Sequence, residues 1–209
     1  MKNKVQMPKI SIVDEKDINY AITYGFNNLR ITDSINAANV ELKDITFDSC
    51  EFIKVDFTKF MFKNIYFLDS TFINCDFSNM DIDQTSIKRC IFKDCKMIGT
   101  NITNNSISDV IFENVSAKLI NFCANKFQYI LFKNSDFCES RMMSCISKEC
   151  YIENCCFNKS EFFDNQLKGC DFSTSTIEEI TVDLASIKEI IVNSEQAISL
   201  SRLLGIIIK

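Results

Sequence analysis

A five-residue period runs through most of this 209-residue chain and limits the folds open to it. Every fifth residue from Leu42 to Val192 is apolar except Ser147, which makes 30 apolar positions out of 31. The chain is 46% hydrophobic, so about 14 apolar residues would be expected there by chance. Sixteen of the 19 Phe lie in this phase. A helix repeats every 3.6 residues and a strand every two, so neither holds such a register, whereas a solenoid that turns one corner per repeat does.

A second register lies two residues before each of these central positions. Eight of the 11 Cys occupy it, and Ser, Thr and Val fill many of its other positions; the eight are Cys50, Cys75, Cys90, Cys95, Cys145, Cys150, Cys155 and Cys170. The repeating unit is therefore a small or medium residue, any residue, a large apolar centre and two mostly polar residues.

The composition disfavours most familiar enzyme chemistry. The chain has no His, which removes Ser-His-Asp and Cys-His arrangements and every His-containing metal site. It has four Gly, and no phosphate-binding glycine motif occurs. The net charge of −5 disfavours a general nucleic-acid binder. No export signal or membrane span is visible, so the many Cys favour a cytoplasmic protein with free thiols.

Several triplets in this register resemble the consensus of the pentapeptide-repeat family, A-[DN]-L-x-x. They include Val55-Asp56-Phe57, Cys75-Asp76-Phe77, Ser135-Asp136-Phe137 and Cys170-Asp171-Phe172. The resemblance covers residues 40–194 and implies the fold of that family, an all-β, right-handed quadrilateral β-helix of about eight coils. In that fold the centre and the residue two before it point inward, so equivalent side chains of every fourth repeat form columns.

The two ends of the chain leave the five-residue phase and divide it into three parts. Residues 1–38 are interpreted as an N-terminal capping segment, with a short helix within 14–24 that ends at Gly25. Residues 39–193 form the β-helix, and residues 194–209 form a short C-terminal helix and tail. Asn193 and Gln196 have the spacing of a capping box that begins this helix, and Gly205 suits its end.

The C-terminal part resembles the corresponding segment of the Qnr-type quinolone-resistance pentapeptide proteins, over residues 194–206. In that group the segment joins two solenoids tail to tail, so the resemblance implies a homodimer. An apolar stripe and a run of Ile at a terminus also indicate a covered surface. The expected interface residues are Ala197, Leu200, Leu203, Leu204, Ile206 and Ile208.

The Qnr-type resemblance also implies a rod that imitates duplex DNA and binds DNA gyrase or topoisomerase IV, which lowers quinolone susceptibility. Asp56, Asp76 and Asp136 each precede a centre and are the acidic candidates for the topoisomerase-facing side. Residues 39–193 hold 23 acids and 16 bases, a net charge of −7, so mimicry would rest on shape and local patches. The alternative function is a structural scaffold that binds an unrelated protein partner.

No catalytic residue, cofactor or metal ligand is predicted, and an enzyme is the least favoured function. The cluster Cys145, Cys150, Cys155, Cys156 and Cys170 contains no C-x₂-C pair, and four of these five lie in the inward register, so core packing explains them better than zinc. Disulfides are likewise not needed.

One outward-facing row departs from the polar residues that the repeat prefers. Taking the residue before the centre in every fourth repeat gives Ile91, Ile111, Leu131 and Tyr151, which we call the apolar ladder. Such a contiguous row predicts a covered surface, either beneath residues 1–38 or beneath a partner protein. The position of the ladder in the middle of the rod slightly favours the partner. Cross-strand packing that merely stabilises the exposed sheet is the remaining explanation.

Overall fold

The five-residue period folds into a parallel β-solenoid of about seven turns with two helices. The structure is a computed structural model and describes residues 5–12, 14–32 and 39–207, with the backbone alone at Leu204. The helices are α1 (Ile18–Tyr24) and α2 (Ser194–Ser201), and 3₁₀ turns span Phe57–Lys59 and Arg202–Leu204. The strands are β1 (Asp14–Glu15), β2 (Leu29–Ile31), β3 (Val40–Asp48), β4 (Glu51–Ile53), β5 (Phe60–Leu68), β6 (Thr71–Ile73), β7 (Asp81–Asp83), β8 (Ser86–Lys93), β9 (Asn101–Thr103), β10 (Ser106–Glu113), β11 (Lys126–Lys133), β12 (Arg141–Met143), β13 (Ile146–Glu153), β14 (Glu161–Phe163) and β15 (Thr181–Val182).

Each coil of the solenoid consists of four pentapeptides, so every residue pairs with its equivalent four repeats away. Ile107 of β10 pairs with Phe127 of β11, and Phe72 of β6 pairs with Phe92 of β8 in the same parallel sense. The main sheet has the order β1-β2-β4-β6-β8-β10-β11-β13, with β3 and β5 alongside, and smaller sheets of β12-β14-β15 and β7-β9 form other sides. The second polar residue of most units has a positive φ and forms the corner; Asn fills many of these positions because it tolerates this conformation.

Columns of Phe fill the interior, as the sequence predicted. The rings of Phe52, Phe72, Phe92, Phe112 and Phe132 stack with centroids 4.8–5.3 Å apart and within 14° of parallel. All but five of the 31 predicted centres are buried; the five are Phe62, Ser147, Val182, Ile187 and Val192. Burial and ring stacking together supply the core that a thin rod requires.

The inward register two residues before each centre connects neighbouring coils by hydrogen bonds as well as by packing. Asn125 is fully buried; its side-chain oxygen accepts the Asn105 N–H at 2.8 Å, and its Nδ2 donates to the Ile102 carbonyl at 2.6 Å. Ser70 likewise accepts the Cys50 N–H at 3.1 Å. A side chain of one coil therefore pairs backbone groups of the preceding coil, which explains why short polar residues occupy a buried register.

The cysteines of the inward register are structural. Burial raises the pKa of Cys90 and of Cys145 to about 12 and that of Cys155 to about 11, so these thiols stay protonated at neutral pH. Nine cysteines are free, as predicted.

The expectation that disulfides are not needed was wrong at one position, where Cys138 and Cys156 are bonded. These two residues lie outside the inward register. Stacking of adjacent coils brings their Cα atoms to 5.5 Å, within the range a disulfide requires.

The predicted N-terminal helix is shorter than expected and begins at Ile18. The Asp17 side chain accepts the Tyr20 N–H at 2.8 Å and caps the helix, which ends at Gly25. Asp14–Glu15 instead forms β1, which pairs with β2, and β2 pairs with β4 of the solenoid. No helix among the described residues is long and apolar enough to cross a membrane.

The last coil departs locally from the five-residue phase. Ser186 is buried, whereas Ala185, which the phase places inward, is exposed. The Ser186 hydroxyl accepts the Asn165 N–H at 2.9 Å, and this bond spans one residue more than the regular spacing between coils. Asp171 and Ile191 again pair with the regular spacing of 20 residues, so the shift by one residue is confined to one corner.

Candidate partner-binding surfaces

The three candidate acids lie on one side of the rod, which we call the aspartate face. Its outward positions, one on each successive coil, are Asp56, Asp76, Lys96, Ser116, Asp136, Cys156 and Thr176, joined in sequence by parallel bridges. The structure therefore places Asp56 beside Asp76, whereas Asp136 lies three coils further along, beyond Lys96 and Ser116.

Each of these acids hydrogen-bonds the turn that follows it. Asp76 accepts the Ser78 N–H at 2.9 Å, Asp136 accepts the Cys138 N–H at 3.1 Å, and Asp56 accepts the Thr58 N–H at 3.0 Å. Asp171, on another side, does the same with Ser173. The preference of the repeat for Asp before a centre thus has a local structural cause, an Asx-type turn.

Basic side chains reduce the negative charge of the aspartate face. Lys59 approaches Asp56 to 3.8 Å and Lys118 approaches Asp136 to 3.6 Å. These pairs are partly exposed, so they contribute little to stability. The face therefore presents partly exposed carboxylates at two places, on the coils of Asp56 and Asp76 and on the coil of Asp136, with ammonium groups beside them.

The N-terminal strap, residues 5–12, lies along the rod beside the apolar ladder. The Gln6 N–H donates to Asp109 at 3.0 Å and the Lys9 N–H donates to Asp69 at 2.9 Å. Asp69 and Asp109 are two coils apart, about 10 Å, which is the span of three extended residues. The strap therefore crosses these coils at the corner positions, two residues before the row that contains the ladder.

The cover of the apolar ladder by a partner protein stays a prediction, and the ladder itself is continuous in the structure. Ile91, Ile111 and Leu131 pair in register with one another, and Tyr151 follows. Leu131 is buried, and the other three side chains are half-buried.

Asp69 is the electrostatic anchor of the strap. Arg89 donates to both carboxylate oxygens at 2.6 Å, and the Lys9 N–H adds a third bond. The Arg89 hydrogen bonds hold the pKa of Asp69 below its ordinary value, against the opposing effect of burial. Asp69 therefore stays ionised and keeps its acceptor capacity at neutral pH.

The C-terminal cap, residues 193–207, covers the other end of the rod. The capping box is present: the Gln196 N–H donates to Asn193 Oδ1 and the Asn193 N–H donates to Gln196 Oε1, both at 2.9 Å. The buried Gln196 Nε2 donates to the Phe172 carbonyl at 2.9 Å and to the Ser175 carbonyl at 2.7 Å. These bonds hold α2 on the final complete coil.

The predicted interface residues divide into two groups. Leu200 packs partly against the core, whereas Ala197, Leu203 (45% exposed) and Ile206 (50% exposed) face solvent. Ile207 is 86% exposed, and Ile198 is exposed as well. Ile208 and the Leu204 side chain lie outside the described residues. The end of the rod thus carries an apolar patch.

Two features of these surfaces were not found by sequence reasoning. The strap anchors, Asp69 and Asp109, sit at corner positions that the repeat usually fills with polar residues, so nothing distinguishes them in the sequence. The group formed by Asp136, Cys138 and Cys156 brings one oxygen and two sulfur atoms within 4.8 Å of one another. The sequence carries one indication of this group, because Cys138 and Cys156 lie outside the inward register.

The repeat that builds these surfaces has a known counterpart in the middle of the chain. Residues 66–141 match the family model described as a pentapeptide repeat region. This part of the chain carries the pentapeptide repeat. The same four-repeat coil extends on both sides of the matched region, since β3 pairs with β5 before it and β14 pairs with β15 after it.

Solved structures similar to this chain include two trypsin-treated variants of QnrB1, described as a plasmid-mediated fluoroquinolone resistance protein. One is 15% identical with a TM-score of 0.35, over 87% of this chain and 99% of that chain. The other is 14% identical with a TM-score of 0.37, over 94% and 100%. HetL, a pentapeptide repeat protein involved in heterocyst differentiation regulation from the cyanobacterium Nostoc, is 6% identical with a TM-score of 0.30, over 88% and 90%. No curated protein sequence matches the chain, so its function has to be argued from its own residues.

Proposed function

We propose that this protein is a non-enzymatic, cytoplasmic homodimer that binds a type II DNA topoisomerase, either gyrase or topoisomerase IV, and lowers quinolone susceptibility. The observation that carries the proposal is the C-terminal cap. It leaves Leu203, Ile206 and Ile207 exposed at one end of the rod, in the segment whose sequence resembles that of Qnr-type proteins. A contiguous apolar patch of this kind favours a covered surface.

The shape of the rod supports binding in the place of DNA better than its total charge does. Seven coils at about 4.8 Å give a length of about 34 Å, over which duplex DNA carries about 20 negative charges. The repeat region has a net charge of −7, from 23 acids and 16 bases in residues 39–193. The proposed contact therefore uses the partly exposed carboxylates of Asp56, Asp76 and Asp136 on the aspartate face and the shape of the rod, instead of a uniform negative field.

A supercoiling assay with purified gyrase, with and without ciprofloxacin, tests the proposal. We expect the protein either to inhibit supercoiling alone or to restore it in the presence of the drug, with topoisomerase IV decatenation as the parallel reaction. A double variant, Asp56→Asn with Asp76→Asn, retains the turn geometry because Asn also caps such turns. This variant should lose the effect if the aspartate face makes the contact. No effect in either condition with either enzyme would contradict the proposal.

A scaffold for an unrelated protein partner is the second candidate. It is favoured by the engagement of Asp56, Asp76 and Asp136 in their own turns and by the two lysines that pair with them. Under this alternative the wild-type protein leaves both topoisomerases unaffected and still forms the C-terminal dimer.

A further inference from the structure

Asp136, Cys138 and Cys156 form a cluster of potential metal ligands on the aspartate face. Asp136 and Cys138 belong to one coil, and Cys156 lies on the next coil, where it bridges to Asp136. The carboxylate oxygen and the two sulfur atoms all lie within 4.8 Å of one another, and all three residues are half-buried. We propose that the reduced form of this cluster binds one Zn²⁺ ion. This inference is independent of the proposed function.

The geometry of the cluster suits a tetrahedral ion. Zinc–sulfur bonds of about 2.3 Å place two sulfur ligands about 3.8 Å apart in a tetrahedral site. The Cα atoms of the two Cys are 5.5 Å apart, so rotation of the side chains after reduction reaches that separation. Parallel pairing of the two coils holds the ligands in place without any movement of the backbone. Water completes the coordination, because the half-buried site is open on one side.

Neighbouring groups orient the carboxylate of Asp136. Its Oδ1 accepts the Cys138 N–H at 3.1 Å, the kind of outer hydrogen bond that fixes a ligating carboxylate. Lys118 Nζ lies 3.6 Å from its Oδ2 and opposes a bound cation. That ammonium is half-exposed, so it swings into solvent at little cost when the metal binds.

The oxidation state of Cys138 and Cys156 determines whether the site can bind zinc. A dithiol reductant transfers two electrons and two protons to the Cys138–Cys156 bond and leaves as its own disulfide, which gives two free thiols. Zn²⁺ then displaces one proton from each thiol and binds the two thiolates. A small-molecule disulfide that accepts two electrons from the two thiolates reforms the Cys138–Cys156 bond, leaves as two thiolates of its own and releases Zn²⁺. The cluster is thus a redox-gated zinc site.

Cobalt substitution tests the proposal, because Co²⁺ bound to thiolate gives an intense near-ultraviolet sulfur-to-metal band. The fully reduced, folded protein should show this band at one Co²⁺ per chain, and Zn²⁺ should abolish it. The oxidised protein should show none. Asp136→Asn should weaken Co²⁺ binding at least about 10-fold, in the range seen when ligands or their supports are lost, and Lys118→Gln should tighten it.

The matched variants are Cys156→Ser, which removes a ligand, and Cys123→Ser, which removes another half-buried free thiol away from the cluster. Only Cys156→Ser should lose the band, with circular dichroism confirming that both variants are folded. The absence of a band in the reduced wild-type protein would overturn the proposal. A band that survives in Cys156→Ser would overturn it as well, since the metal would then be held elsewhere.

Discussion

The two ends of this rod are covered in different ways. The first and last coils of an open solenoid leave backbone groups and core side chains uncovered. At the N-terminal end, β2 continues the main sheet by pairing with β4, and β1 pairs with β2 in turn. The helix α1 buries Ile18 and Ala21 against the same end, and Phe26 and Ile31 are almost fully buried. The ring of Phe26 meets that of Phe47 edge to face at 4.7 Å. This end is closed by the chain's own apolar side chains.

At the C-terminal end the cap is held mainly by hydrogen bonds. Gln196 connects α2 to two carbonyls of the last coils, and Leu200 packs partly on the core. The apolar side chains beyond Leu200 point away from the rod, so Leu203, Ile206 and Ile207 remain exposed. Polar groups attach this end, and apolar side chains stay exposed to solvent.

This difference explains how a solenoid avoids uncontrolled association. If the N-terminal end of one rod bound the C-terminal end of the next, these head-to-tail contacts would not close and would build filaments. In the proposed dimer, the single apolar end would pair with its own copy around a two-fold axis and would then be covered. The closed N-terminal end prevents further growth by strand pairing. We therefore expect a dimer that goes no further.

The largest expected effect is the loss of this dimer when charges enter the exposed C-terminal patch. Leu203→Asp combined with Ile206→Asp places two carboxylates in each copy and four in a two-fold interface. Burying an unpaired carboxylate costs several kcal/mol, so the double variant should be monomeric at concentrations where the wild type is dimeric. Multi-angle light scattering after size exclusion measures the change.

The matched control acts on the opposite end. Tyr24 is 74% exposed at the end of α1, so Tyr24→Asp adds a charge to an exposed apolar position without touching the proposed interface. It should remain dimeric. If Tyr24→Asp is monomeric while the C-terminal double variant is still dimeric, the interface lies at the N-terminal end and the account of the two ends is wrong.

The next largest effect is on stability, at the closed end. Phe26→Ala removes a fully buried ring and should lower the free energy of unfolding by about 3–5 kcal/mol. Tyr24→Ala, two residues away and exposed, should change it by less than about 0.5 kcal/mol. Urea unfolding measures both. A loss below about 1 kcal/mol for Phe26→Ala, well under the range for a buried ring, would mean that residues 14–31 do not close the rod.

A smaller and more local effect is expected at Gln196. Gln196→Leu removes the side-chain hydrogen bonds to the carbonyls of Ser175 and Phe172, of which the Phe172 carbonyl still accepts the Ser175 N–H. It also removes half of the capping box, and the total cost should be about 2–3 kcal/mol. The loss of stability should be local to α2. Its backbone amides should exchange hydrogen faster, while the amides of β8 and β10 keep their protection. Ser199→Ala, on the exposed side of α2, is the control. Equal exchange in the two variants would contradict the role of Gln196 as the main attachment.

The smallest effect is the release of the N-terminal strap at low pH. The pKa of Asp69 is lower in the folded protein than in the unfolded chain, so its contribution to stability is complete above about pH 4 and is lost as the pH falls through the folded value. Protection of the Lys9 amide against hydrogen exchange should follow this loss. Asp69→Asn should reduce that protection at neutral pH. If protection of the Lys9 amide changes neither at low pH nor in Asp69→Asn, Asp69 is not the anchor.

Much of the fold was predictable because one repeat determines both the core and the coil length. The Phe column from Phe52 to Phe132, the capping box at Asn193 and the stop at Gly205 all followed from spacing alone. The buried Phe26 and Ile31 did not, because they lie one residue out of the five-residue phase. The slip at Ser186 depends on one side-chain bond to Asn165, which spacing does not reveal.

The surfaces were less predictable than the core. The Asp residues before the centres suggested a charged face, yet their hydrogen bonds to the following turns are a property of the repeat itself. The Cys138–Cys156 bond and the strap both join residues through the stacking of coils. Such pairs become visible only when the positions of side chains on neighbouring coils are known.

Small-angle X-ray scattering tests the central claim, that two rods join through their C-terminal ends. An end-to-end dimer should have twice the mass of the 24.1 kDa chain and a maximum dimension about twice that of the monomeric Leu203→Asp, Ile206→Asp variant. A wild-type protein with the mass of a monomer would contradict the account. A dimer no longer than the monomeric variant would also contradict it, because the rods would then lie side by side.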